Sequence, residues 1–353
     1  MKRVLFALFL VASLAACSKE NTVATAPKLP ISFGNVFIEN STRAEEAPES
    51  VFHTTSTLRE FFVYGNVKGE NNNIAKLYQY DRVYIPNDAT SWWCDAIQYW
   101  IAGCTYNFAA VTDVEATAVT VDENGMPTKI AYDATTQKDL LYAENKNITT
   151  NPQSGEPSVG VTSGQVNPVP FTFNHLLSKV MFTFTNGFSS DSDVQLKVVD
   201  IKIHNAAKTA TYKVNDTDET PTYKWDGAVK TYFATLDSNG DLVDPTGTID
   251  FGATVEFDPA TVGESKSRLL IPDTQQFYIT FTVEHNKGGQ PTDKTITTQP
   301  VELVQGQFYN FTTELNSGNV EGVAPVVFNI THGSGDGWDE GSDNNVGPVY
   351  PEN

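Results

Sequence analysis

Hydrophobic runs are short and cysteines are few in this chain of 353 residues. The longest apolar run, residues 4–16, has thirteen residues, whereas a membrane-spanning helix needs about 20. One of the three cysteines, Cys17, directly follows this run. The run therefore predicts the core of a signal peptide and not a membrane span.

Basic residues are also scarce. Lys and Arg number 23 against 43 Asp and Glu, which gives a formal net charge of −20. No patch rich in Lys and Arg interrupts this acidity, and such a chain repels the phosphate backbone of nucleic acids. We therefore expect no nucleic acid among its partners.

Sequence motifs for catalysis and cofactor binding are missing as well. The chain has no Gly-x-Ser-x-Gly elbow, no Walker loop, no His-Glu-x-x-His and no Cys/His zinc spacing. Its five histidines are scattered, and a lone histidine such as His175 is more often a hydrogen-bonded structural residue than a base. We predict that the protein is not an enzyme and uses no cofactor or metal.

The N-terminus has the form of a bacterial lipoprotein precursor. Lys2 and Arg3 precede the apolar run, and the motif LAAC, which ends at Cys17, places small residues before a thiol, as in a lipobox. On this prediction residues 1–16 are removed and Cys17 carries lipid, while residues 17–30 form a tether. Each buried methylene contributes about 0.8 kcal/mol, so several acyl chains hold the protein on a membrane, for which we favour the outer membrane. An ordinary signal peptide followed by an incidental cysteine is the alternative.

Alternation of apolar and polar residues dominates the rest of the sequence. Thr and other polar residues alternate with apolar ones, as in strands with one buried face, and no helical period extends beyond about two turns. The pattern predicts an all-β protein with two tandem antiparallel β-sandwich domains.

A segment rich in proline and glycine suggests where the two domains meet. Residues 151–170 contain four prolines and three glycines, which predicts a connection or hinge. The predicted segments are an N-terminal domain at 31–165, whose first strand at 31–40 has a bulge at Gly34, a C-terminal domain at 166–331, and an acidic tail rich in Gly and Asn at 332–353.

Cys94 and Cys104 lie ten residues apart in a segment that plausibly folds back on itself. In an oxidising compartment a disulfide between them is one interpretation. Two buried thiols are the other, because sequence spacing does not test the geometry that a disulfide requires.

The order of these segments resembles the fimbrillin-like family of Bacteroidota, the subunits of type V pili. The matching stretches are the lipobox, ISFGNVFIEN with the following Thr42-Arg43-Ala44, WWCDAIQYWIAGCTYNFAAV, DLLYAEN, FNHLLSKVMFTFTN, QGQFYNFTTEL and VVFNITHGSGDGW. The resemblance implies two sandwiches of the transthyretin-like kind and a structural or adhesive subunit of a cell-surface fimbrium. The two cysteines at 94 and 104 are not part of the family pattern.

The resemblance also implies a mode of assembly. Members reach the outer membrane as lipoproteins, each closed by its own first strand, and a surface protease, often Arg-specific, then removes that strand. The exposed groove is filled by a strand of the next subunit through β-augmentation. Of five arginines, Arg43 lies in a polar loop before AEEAPE, so we expect the cut between Arg43 and Ala44. The displaced strand carries Ile31, Phe33, Val36, Phe37 and Ile38.

The donor strand is expected from the C-terminal end, away from the groove. The candidate donor residues are Val326, Phe328 and Ile330 in one stretch, and Val349 and Tyr350 in the closing VGPVYPEN. We favour the first stretch as the last strand of the second domain. Pro348 and Pro351 make the tail a poor central strand because each lacks an N–H. If the tail cannot donate, either the first stretch is released or the chain is a terminal subunit that only accepts.

The partners implied are other pilus subunits, the outer membrane through the lipid, the surface protease, and a host or bacterial receptor. The alternative function is that of a surface glycan-binding lipoprotein. Its platform would be Trp92, Trp93 and Trp100, whose rings would have to be exposed in a row, although aromatic residues on a strand more often serve packing.

Overall fold

A computed structural model describes residues 28–38, 57–87, 89–188, 194–204, 206–214, 225–232, 249–250, 255–257, 262–265, 267–272, 274–285, 292–322, 324 and 326–332. Several predicted features lie outside these residues: the signal peptide at 1–16, the lipidation site Cys17, the cleavage site at Arg43 and Ala44, and the tail residues Val349 and Tyr350.

The described chain is nearly all β, which confirms the predicted fold class. The strands are β1 (Phe33–Ile38), β2 (Glu60–Lys68), β3 (Ile74–Tyr84), β4 (Trp93–Cys94), β5 (Thr105–Val111), β6 (Val119–Val121), β7 (Pro127–Asp133), β8 (Leu141–Thr149), β9 (Val161–Thr162), β10 (Gln165–Val166), β11 (Val169–His175), β12 (Ser178–Asn186), β13 (Leu196–His204), β14 (Ala207–Lys213), β15 (Trp225–Tyr232), β16 (Ile249–Asp250), β17 (Val255–Phe257), β18 (Val262–Glu264), β19 (Arg268–Leu270), β20 (Thr274–His285), β21 (Thr292–Glu302), β22 (Phe308–Leu315) and β23 (Asn329–His332). Helix is limited, among the described residues, to α1 (Ser317–Val320) and two 3-10 turns, Ala116–Ala118 and Ala134–Thr136.

The chain divides into two compact units. Of the described residues, the first unit takes 28–38, 57–87, 89–128 and 141–174, and the second takes 129–140 and those from 175 to 332. The arrangement as two tandem sandwiches, with a boundary at residue 165, stays a prediction. The division into compact units differs from this predicted boundary, because β11 belongs to the first unit and residues 129–140 belong to the second.

The segment predicted as a hinge, residues 151–170, is part of the first unit. Its glycines form turns: Gly155, Gly160 and Gly164 have φ angles of 72°, 87° and 79°, which glycine adopts without strain. Two short strands, β9 and β10, pair as a hairpin within it. Gly and Pro mark a tight turn inside a domain as readily as a connection between domains, and the meeting of two sandwich domains near residues 151–170 stays a prediction.

A seven-stranded sheet forms the first unit, in the order β1-β11-β8-β5-β2-β3-β4. Its ladders are antiparallel for β2 with β3 and β5, and for β5 with β8, whereas β1 runs parallel to β11. Phe33 of β1 nevertheless packs on Tyr78 of β3, with ring centroids 5.3 Å apart. Strands so far apart in the sheet order meet because the sheet curls around its core.

The second unit builds its core from two further sheets. One has the order β18-β12-β22-β23 and the other β16-β13-β20-β21. Five buried phenylalanines meet in that core: Phe182, Phe184, Phe281, Phe311 and Phe328. The end of the described chain is therefore an integral part of this unit.

Candidate functional site

Strand β1 lies at one end of the seven-stranded sheet. The strand predicted at 31–40 is present as Phe33–Ile38, and its register with β11 pairs Phe33 with Val169 and Ile38 with Phe173. The register shifts between Gly34 and Val36, where the alternation in the sequence is interrupted. Within the described ladder Asn35 has no partner in β11, and its φ is 48°, as expected of a bulged residue.

The bulge decides which side chains of β1 enter the core. Ile31 and Phe33 are buried, and after the extra residue the buried positions become Val36 and Ile38. Phe37 points the other way and is 57% exposed. One inserted residue exchanges the two faces of a strand, so Phe37 does not share the buried role of the other four residues.

Phe33 occupies the centre of the core of the first unit. Its side chain is only 3% exposed, and its ring lies 5.5 Å from that of Phe108 and 5.9 Å from that of Phe171. Full burial of one such apolar side chain stabilises by about 1.5–3 kcal/mol. The four buried residues of this segment together contribute an amount comparable to the net stability of a whole domain, roughly 5–15 kcal/mol.

The residues just before β1 pair with a second part of the unit. The Ile31 N–H donates to the Gln98 carbonyl at 2.8 Å, and the Trp100 N–H donates to the Leu29 carbonyl at 2.9 Å. An antiparallel bridge joins Pro30 and Tyr99 between these bonds. Residues 29–38 thus lie between β11 and the segment 98–100, and their loss would leave unpaired backbone groups on both sides.

The backbone of β1 comes close to its surroundings at Gly34. A Cβ atom at this position would lie 3.1 Å from both Cβ and Cγ of Pro168 and 3.8 Å from Cδ1 of Trp92. The first two separations are tighter than ordinary van der Waals contact. A larger residue at position 34 would therefore require Pro168 to shift by a few tenths of an ångström.

The three tryptophans proposed as a glycan platform do not lie in an exposed row. Trp100 is 6% exposed and packs edge-on against Tyr106 at 4.6 Å. Trp92 is half-buried, with its ring 5.0 Å from that of Phe61 in the core, and Trp93 is 58% exposed. The platform prediction is wrong because the curled sheet draws two of the three rings into the core.

Cys94 and Cys104 carry thiols, and among the described residues no disulfide joins them. Cys94 lies in β4 opposite Val83, whereas Cys104 is buried just before β5, where its N–H donates to Thr150 Oγ1 at 2.9 Å. Cys94 is only partly buried, and a disulfide between the two residues stays a prediction. Burial raises the pKa of the Cys94 thiol to about 11, so it stays protonated and weakly nucleophilic at neutral pH.

The His175 side chain is buried and hydrogen-bonded in the second unit. Its Nδ1 lies 3.0 Å from Oδ1 of Asp139, and both side chains are fully buried. The neighbouring Leu176 N–H donates to the Leu140 carbonyl at 2.9 Å. His175 and Leu176 therefore bind residues 139–140 of the same unit. The sequence did not identify Asp139 as the partner of His175, because the two residues lie 36 positions apart.

Clusters of metal ligands and long apolar helices are absent from the part of the chain that the structure describes. No three His, Cys, Asp or Glu side chains there come together as metal ligands would. No helix there is long and apolar enough to cross a membrane.

Comparison with known proteins places this fold among fimbrial proteins. A family model described as fimbrillin-like matches residues 42–331. A fimbrial protein from Bacteroides vulgatus is 14% identical with a TM-score of 0.52, over 86% of this chain and 99% of that one. A fimbrial assembly protein from Parabacteroides distasonis is 10% identical with a TM-score of 0.38, over 86% and 96%. The fimbrial anchor protein Mfa2 from Porphyromonas gingivalis is 10% identical with a TM-score of 0.34, over 90% and 98%. The comparison with curated proteins found no match.

Proposed function

The chain belongs to the fimbrillin-like family, which is structural and not enzymatic, and we propose that it is a pilus subunit that assembles by strand exchange. It is exported as an outer-membrane lipoprotein precursor, closed by its own first strand. After proteolytic removal of that strand, a strand of another subunit takes the vacated place. The assembled product is a fimbrium on the cell surface.

The observation that carries this proposal is the position of β1. This strand is an edge of the sheet, and together with Ile31 just before it supplies four buried core residues. Its removal would expose the backbone of β11 and the apolar faces of Tyr78, Phe108 and Phe171 to water. Unpaired backbone groups and uncovered apolar surface are both unfavourable, so the opened subunit has a strong tendency to bind another strand there.

Arg43 is the arginine best suited for the cut. Proteases act on exposed chain that can extend in their active site. Arg82 lies within β3 and stacks on the Tyr84 ring at 4.2 Å, and Arg268 lies within β19. The Arg59 carbonyl accepts a hydrogen bond from the Ile85 N–H at 2.9 Å. Cleavage between Arg43 and Ala44 would separate β1 and the lipid at Cys17 from everything that follows β1.

The test uses the purified full chain and a limited trypsin-like cut. We expect the cut protein to have Ala44 as its new N-terminus and to form polymers that size-exclusion chromatography and electron microscopy detect. The uncut protein should stay monomeric.

The matched controls are Arg43→Gln, which should remain uncut and monomeric, and Arg59→Gln, which should behave as the unaltered protein. Polymer formation by uncut Arg43→Gln at the same rate as by cut protein would contradict the proposal. So would a cut protein that loses residues 1–43 and stays monomeric.

A further inference from the structure

Strand β3 has a neighbouring strand on only one side over most of its length in the described ladders. One side pairs with β2 from Ile74 to Tyr84, whereas on the other side β4 reaches only Val83 and Tyr84. Long edge strands are templates on which a strand of another molecule can pair, because their N–H and C=O groups lack ladder partners. The first unit thus has a second edge, far from β1 in the sheet order, where another chain could add.

Two irregularities bend β3 in the part that β4 does not reach. The register with β2 shifts between Val63 and Tyr64 and again between Gly65 and Asn66. The first shift leaves Tyr80 as an extra residue of β3, and its φ is 69°. This φ is strained for a bulky side chain. Strain of this kind persists only where surrounding contacts hold the residue in place.

Contacts of the Tyr80 side chain hold this bulge. Its ring lies parallel to that of Phe62, with centroids 4.1 Å apart, and its hydroxyl donates to the Val114 carbonyl. The next side chain, that of Asp81, turns back along the strand. Oδ2 of Asp81 accepts a hydrogen bond from the Gln79 N–H at 2.8 Å.

The Gln79 N–H points away from β2. On the β4 side, the Arg82 carbonyl accepts from the Asp95 N–H at 3.0 Å, so Arg82 directs its backbone groups away from β2. Backbone groups of successive strand residues alternate between the two sides, which directs those of Asp81 towards β2. Gln79 is the next residue in register after the extra Tyr80, and its N–H is again directed to the outer side.

A second side chain covers a neighbouring backbone group on the same edge. Nε2 of Gln98 donates to the Leu77 carbonyl at 3.4 Å. Side chains therefore occupy a donor and an acceptor of β3 that a further strand would otherwise use. Bulges and charged side chains are both means by which natural sheets protect their edges from pairing.

We propose that Asp81, positioned by the Tyr80 bulge, blocks the outer edge of β3 against strand addition by a second copy of this chain. Its carboxylate occupies the N–H that an added strand needs, and it places a negative charge where the carbonyls of that strand would lie. Without the block, the β3 edges of two copies would pair antiparallel about a two-fold axis, as an isologous dimer does. The block acts in the closed subunit, so it does not depend on strand exchange at β1.

The experiment compares full-length Arg43→Gln, in which β1 stays in place, with the same chain carrying Asp81→Ala, Asp81→Asn or Asp95→Ala. Sedimentation velocity over a concentration series measures the dissociation constant of any dimer. We expect Asp81→Ala to lower this constant at least tenfold, because it frees the Gln79 N–H. Asp81→Asn keeps an acceptor oxygen and should stay as monomeric as Arg43→Gln. Asp95→Ala removes an equal charge from an exposed neighbour without freeing that N–H, and should also stay monomeric.

A further variant separates edge pairing from misfolding. Gln79→Pro, added to Asp81→Ala, deletes the N–H that the loss of the carboxylate exposes. Proline is tolerated on an edge strand where its nitrogen faces away from the neighbouring strand. We expect this double variant to return to the monomer. If it dimerises as readily as Asp81→Ala alone, association does not use the Gln79 N–H and the inference is overturned.

Two other results would also overturn the inference. One is an Asp81→Ala chain that stays as monomeric as Arg43→Gln. The other is equal dimerisation of Asp95→Ala and Asp81→Ala, because charge alone would then keep the copies apart. Neither result bears on the proposed function, which polymer formation after the cut at Arg43 tests separately.

Discussion

Truncation of the Phe33 side chain tests whether β1 stabilises the subunit through its buried face. In the uncut precursor, Phe33→Ala removes a ring that is 3% exposed and packs on Tyr78, Phe108 and Phe171. Such substitutions lower the free energy of unfolding by about 3–5 kcal/mol. We expect the lower end of this range, about 3 kcal/mol, because an edge strand can shift to close part of the cavity.

The measurement is urea-induced unfolding of the uncut precursor, followed by tryptophan fluorescence. In a thermal scan each kcal/mol lowers the melting temperature of a unit of this size by roughly 2–4 °C, so the midpoint should fall by roughly 10 °C. The cut protein should also release residues 1–43 faster when Phe33 is truncated.

Phe37→Ala is the matched control on the same strand. Its ring is 57% exposed, and its truncation should change the free energy of unfolding by less than about 0.5 kcal/mol. Equal losses for the two substitutions would refute the assignment of the buried and exposed faces of β1, and with it the argument that removal of this strand opens an apolar groove.

Three further predictions concern the anchor, the second unit and the thiols. Cys17→Ser should abolish lipid attachment and leave the precursor in the periplasm, which detergent partitioning and surface labelling measure; unchanged partitioning would contradict the lipobox assignment. Burial, aided by the charge of Lys202, lowers the pKa of His204 to about 4 from its ordinary value of 6.5. The neutral ring is therefore favoured in the folded state, and its stabilising contribution is complete above pH 6.5 and lost as the pH falls towards 4. The difference in unfolding free energy between the unaltered chain and His204→Gln should shrink as the pH falls across this window; a constant difference would contradict it. Cys94 should resist alkylation at pH 8 in the folded protein and react once the chain is unfolded in urea, and rapid labelling of the folded protein would contradict its burial.

The strand at the candidate site could be predicted because its signal is local. Alternating apolar residues indicate a half-buried strand, and the break at Gly34 indicates a bulge, which the structure has between Gly34 and Val36. The exposure of Phe37 follows from that same bulge. The position of the bulge would have been enough to predict which side chains of β1 are buried after it. The identity of its partner strand, β11, could not be predicted from the local sequence.

The remaining features depend on contacts between residues far apart in the sequence. Segment 98–100 meets residues 29–31, and Asp139 meets His175, only because the chain folds around cores that no local pattern encodes. The sequence left the exposure of the tryptophans open for the same reason: whether Trp100 faces water depends on the curl of the sheet that brings it onto Tyr106. The position of a domain boundary could not be read from residues 151–170 alone, because the residues that bend a chain are the same within and between domains.

Electron microscopy of surface fibres, with antibody against the second unit, tests the central claim most directly. Cells that make the protein should carry labelled fibres whose extracted subunits begin at Ala44, and cells that lack it should carry no labelled fibres. Fibres of equal number and unchanged composition in both cell types, with the antibody bound only to the membrane, would contradict the assignment of this chain as a pilus subunit.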